Sequence, residues 1–171
     1  MEAVRQAVKL VLTAHPYPAI VVDRYWNLLQ ANDGAPLFLA DVDPELLRPP
    51  VNVIRVSLHP GGLAKRATNF AEYAEHLVLR LRQLVDATGD PELVALLDEA
   101  VGYVGPAAEH MHGDPGVVMP LALDTPQGEV RLFSTLALIG SPRDVTTEEL
   151  TIEAFYPADR VSRERYERLL S

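Results

Sequence analysis

Five polar residues, Arg66, Asn69, Tyr73, His76 and Arg80, recur at spacings of three, four, three and four. On a helix turning by about 100° per residue they form one stripe. Beside it runs an apolar stripe that includes Phe70, Leu77 and Leu84. A molecule with an acidic head and an apolar tail needs this pairing. Arginine can hold a carboxylate through two parallel hydrogen bonds, and asparagine adds a directed donor. The walls would come from the helix face and from the sheet face it covers: Phe70, Tyr73, Leu77, Phe133 and Thr135. The same residues also fit a plain core, with Arg66 and Arg80 on a solvated edge and Asn69 satisfying a loop.

Other chemistry has less support. His110 and His112 stand between Glu109 and Asp114. His-x-His can bind a divalent metal when both rings project from one side of a strand. Here it falls in a Gly- and Pro-containing stretch with no defined third ligand, which reads as a polar loop. His59-Pro60-Gly61-Gly62 lacks the Lys-Ser/Thr of a phosphate-binding loop and reads as a turn. There is no G-x-S-x-G, no H-E-x-x-H and no cysteine. Neither catalysis, a metal nor a cofactor is expected.

The elements that must carry the stripe can be read from the apolar pattern. The chain has 171 residues, 48% of them hydrophobic, enough for one core without staples. With 24 acidic and 15 basic residues the net charge is −9, which opposes direct contact with a phosphate backbone. No apolar run approaches the ~20 residues of a membrane span, and a cytoplasmic location is expected. Residues 2–14 have helical spacing, stopped by His15-Pro16-Tyr17-Pro18. Ala19–Val22 and Leu28–Ala31 read as a strand pair in a central, covered position, with Asp23 and Trp26 setting the turn. Asn32 reads as the cap of a short helix, Ala35–Leu39, and Asn52 as the cap of another ending at Leu58. The longest helical pattern runs from about Leu63 to Ala87. Asp90-Pro91 opens a further helix, to about Tyr103. Val117–Leu123 and Glu129–Ile139 form a hairpin, with Pro120 assigning the first strand to an edge. Leu150–Tyr156 is a last strand and Ser162–Leu170 a short basic helix.

Segregated strands and helices predict an α+β fold: an antiparallel sheet of about five strands, with helices inserted between strands two and three and packed on one face. This is the order of a PAS domain. Four stretches then carry a closer resemblance: HPYPAIVVDRYWNLLQAND (15–33), LHPGGLAKRATNFAEYAEHLVLRLRQL (58–84), GDPELVALLDE (89–99) and EVRLFSTLALIGSPRDVTTEELTIEAFYPAD (129–159). In this order and spacing they resemble the ligand-binding domain of MmyB-like transcription regulators. That resemblance implies a PAS-like sensor over residues 15–171, with residues 1–14 as a connector helix to an N-terminal helix-turn-helix that this sequence lacks. It implies a small apolar ligand of fatty-acyl type, with a fatty acid as one candidate, and DNA as a partner only through the missing half. Where the family pattern often has Trp, this chain has Phe70.

Two readings of the function stay open. One is a ligand sensor. The other is a ligand-free dimerisation or protein-interaction module, supported by the amphipathic first helix and by the basic segment 160–168 on an acidic protein.

Overall fold

Asp23 shows how locally this fold begins. Its Oδ1 accepts from the backbone N–H of Tyr25 (2.8 Å) and Asn27 (2.9 Å), and its Oδ2 from the Asn27 side chain (3.0 Å). That closes the turn between β1 (Ala19–Val22) and β2 (Leu28–Ala31). Trp26 takes the left-handed conformation there, at φ 65°, and its ring is buried. In this computed structural model residues 2–105, 120–139 and 150–171 are described. His110, His112, Glu109 and Asp114 lie outside them, as does the start of the expected Val117–Leu123 strand.

The elements follow as α1 (Glu2–Ala14), β1, β2, α2 (Pro36–Leu39), α3 (Val53–Leu58), α4 (Phe70–Thr88), α5 (Pro91–Val104), β3 (Leu121–Leu123), β4 (Val130–Ile139), β5 (Leu150–Pro157) and α6 (Arg160–Leu169). The strands pair antiparallel in the order β2-β1-β5-β4-β3, the order of a PAS sheet. The fold is α+β, as the sequence predicts, with α2–α5 inserted between β2 and β3.

Strand periodicity divides the side chains between two faces. Ile20, Val22, Val130, Leu132 and Phe155 join the main core with Leu77, Leu81, Leu96 and other helix residues. On the reverse face Ala19, Val21 and Ile152 pack against Val8 and Leu12 of α1. The first helix is thus docked on the sheet.

Three expectations need correction. β2 is an edge strand, not a central one. Its pairing is capped at the near end by the chain around Asn52, where Leu28 N–H donates to Val51 (2.7 Å) and Val53 N–H donates to Trp26 (2.8 Å). Leu29 and Ala31 are exposed.

Asn32 caps no helix. Its Oδ1 accepts from Ala19 N–H (2.9 Å) and Gly34 N–H (3.2 Å), and its Nδ2 donates to the Tyr17 carbonyl (2.7 Å). It ties the start of β1 to the end of β2.

The long helix starts seven residues later than its pattern. Leu63–Lys65 is a short 3-10 turn, and residues 66–69 pair with β3 before α4 begins at Phe70. Thr68 N–H donates to Ala122 (2.8 Å) and Asp124 N–H donates to Arg66 (2.8 Å). Gly62 allows the preceding bend, since a Cβ there would lie 2.0 Å from the Val56 carbonyl oxygen.

Three other caps match their residue types. Asn52 accepts from Ile54 and Arg55 N–H, Asp90 from Glu92 N–H, and Asp159 from Ser162 N–H.

Candidate ligand-binding cavity

Between the helices and the core face of the sheet lies a cavity of about 60 Å³. One ordered water needs only about 10–15 Å³. Ile20 and Phe155 form its sheet wall, Trp26 comes from the β1–β2 turn, Phe38 from α2, Ile54 from α3 and Leu77 from α4. Phe38 and Phe155 pack with ring centroids 4.6 Å apart. The lining reaches the surface beside β2, where Ala31 and Leu39 are exposed.

Three polar side chains interrupt this apolar wall: Ser57, Tyr73 and Glu153. Ser57 and Glu153 are buried, and the Ser57 and Tyr73 hydroxyls stand 3.5 Å apart. Glu153 projects from β5 on the same face as Phe155, and the Ser134 hydroxyl of neighbouring β4 donates to it. Burial raises the Glu153 carboxyl above its ordinary value, against the opposing pull of Ser134 and of the Arg80 charge. Burial, reinforced by Glu153, also pushes the Tyr73 phenol up. The cavity can therefore enclose apolar atoms and meet one polar group with hydrogen-bonding side chains.

The expected site residues separate into groups. Tyr73 and Leu77 line the cavity. Arg80 is half-buried outside the lining, although its charge acts on Tyr73 and Glu153. His76 is buried on α4 but is not in the wall, and Phe70 packs on the edge of the main core.

Arg66 and Asn69 precede α4, so the expected five-residue helical stripe is broken. The Arg66 guanidinium donates to the carbonyls of Leu37 (2.9 Å), Ala40 (3.2 Å) and Asp124 (3.2 Å). Asn69 donates to the Pro120 carbonyl (2.6 Å) and accepts from Ala122 N–H (2.9 Å). Both fasten loops.

Phe133 and Thr135 are on the reverse face of the sheet, paired with Tyr156 and Ala154. Phe133 stacks on Tyr156 at 5.4 Å, and Thr135 is exposed. Neither can wall a cavity beneath α4.

Sequence reasoning missed Glu153, Ser57 and Trp26 as wall residues. Glu153 carried a signal, because a carboxylate two positions from Phe155 shares its strand face.

A wider cleft of about 500 Å³ lies between α1 and α6. Two of its polar groups hold the backbone: Asn32 as above, and the His15 ring nitrogen 2.9 Å from the Phe155 carbonyl. The smaller, more apolar cavity is the candidate site.

The family model for the MmyB-like transcription regulator ligand binding domain matches residues 4–169, nearly the whole chain. The chain belongs to this family. No curated protein sequence matches it significantly. This MmyB-like domain thus comes from a family of regulator ligand-binding domains, not one known for enzymes. Among the described residues no helix is long and apolar enough to cross a membrane.

Proposed function

We propose that this MmyB-like domain senses a small apolar or fatty-acyl-type ligand in the cytoplasm and so modulates DNA binding by a helix-turn-helix joined to it. The observation that carries this reading is the apolar cavity with a polar pole at Ser57, Tyr73 and Glu153. The apolar part of the ligand occupies the space between Trp26, Phe38 and Leu77, and a longer chain extends past Ala31 and Leu39.

The route outward runs through the sheet. β1 and β5 carry Ile20 and Glu153 on the cavity side, and on the other side Val21 and Ile152 touch Val8 and Leu12 of α1. A ligand that displaces these strands displaces the helix, by no more than its differential affinity for the two states allows.

Native mass spectrometry of the purified chain, followed by denaturing extraction, tests the proposal. A bound apolar small molecule is the expected result. A chain that stays ligand-free after exposure to a cell lipid extract would count against sensing.

A second reading has its own observation. Leu10 and Val11 of α1 are 72% and 48% exposed, which suits a helix that pairs with another copy. Light scattering would then find a dimer that Leu10→Lys dissociates.

A further inference from the structure

We infer that Glu153 makes this cavity selective for an apolar ligand whose head is an uncharged hydrogen-bonding group, such as a hydroxyl or an amide, over one ending in a free carboxylate. The inference rests on the ligand-binding reading above and narrows it.

Glu153 is two strands in from the β2 edge, where the lining meets solvent, so the head of a ligand entering there comes to rest near it. The other polar groups in the wall, Ser57 and Tyr73, are neutral hydroxyls that both donate and accept. A hydroxyl or amide head can hydrogen-bond with all three without bringing charge into an apolar space.

A carboxylate head meets different physics. It would be a second acid in a site that already desolvates one, and two such groups close together cannot both be ionised. One proton must be taken up, or a bare charge buried, and either lowers affinity at neutral pH. The raised carboxyl of Glu153 agrees with this dry environment. Arg80 offsets part of the charge from outside the lining but offers no guanidinium within it.

Calorimetric titration of the full chain at neutral pH, with matched alcohols and acids from 1-hexanol and hexanoate to 1-decanol and decanoate, tests the assignment. The wild-type chain should bind the alcohol at least about tenfold tighter than the acid of equal length. Glu153→Gln should bring the two within about threefold, chiefly by tightening the acid. Equal affinities, a preference for the acid, or undiminished discrimination in E153Q overturn the role of Glu153 and leave ligand binding intact. Failure of every alcohol and every acid to bind overturns both. If E153Q does not fold, the wild-type comparison decides alone.

Discussion

Glu153 sits among apolar side chains, and its titration should be measurable in the stability of the whole chain. The folded state holds the carboxyl above its ordinary value of 4.5, so folding favours the protonated form. That contribution is complete below pH 4.5 and is lost as the pH climbs through the raised value. Glu153→Gln cannot ionise. Its melting temperature should therefore gain on the wild type as pH rises above 4.5, as followed by circular dichroism. A difference independent of pH would mean that the carboxyl is hydrated. At this scale the sequence was partly legible. Helical spacing brought Tyr73 and Leu77 to the cavity, because a helix keeps residues four apart on one side. Phe133 and Thr135 are misplaced by the sequence pattern because both faces of β4 are largely apolar. Alternation sorts residues into two sets but does not say which set a helix covers.

At the scale of elements, residues 66–69 decide where the longest helix starts. Asn69 completes the pairing with β3 through a donor and an acceptor on one side chain. Asn69→Ala should remove both bonds and cost about 2 kcal/mol in urea denaturation. Asn69→Asp keeps the acceptor but sets a carboxylate oxygen against the Pro120 carbonyl, so it should also destabilise. A negligible loss in the alanine variant would show that β3 holds without the clasp. Helices with a cap residue or proline at the right offset were legible, as at Asn52 and at Asp90-Pro91. The start of α4 was not, since its apolar period continues smoothly through a segment whose hydrogen bonds go to a strand more than fifty residues away. Long-range pairing overrides local propensity there. The edge position of β2 was hidden for a similar reason, because its neighbours are set by topology and not by its own four residues.

At the scale of the whole molecule, α1 is built into the domain by Val8 and Leu12, each at most 5% exposed. Leu12→Ala should cost about 3 kcal/mol in chemical denaturation, whereas Leu10→Ala, at an exposed position, should stay within about 0.5 kcal/mol. Equal effects would mean that α1 is not docked in solution. The α+β class and strand sequence were legible because segregated runs of strands and helices admit few layer arrangements. The contact between α1 and the back of the sheet was not, since an amphipathic helix shows that it has a partner without saying which. With the core helices on one side of β1 and β5 and α1 on the other, these residues acquire a parity. In β1 the even-numbered Ile20 and Val22 face the cavity side while Ala19 and Val21 meet the first helix; in β5 the odd-numbered Glu153 and Phe155 face inward while Ile152 and Ala154 face back. Under the proposed function, what is recognised and what is relayed would be written on alternate letters of the same strands. On that proposal, substitution of one set would retune the ligand without touching the relay, whereas a single inserted residue in either strand would exchange the two faces.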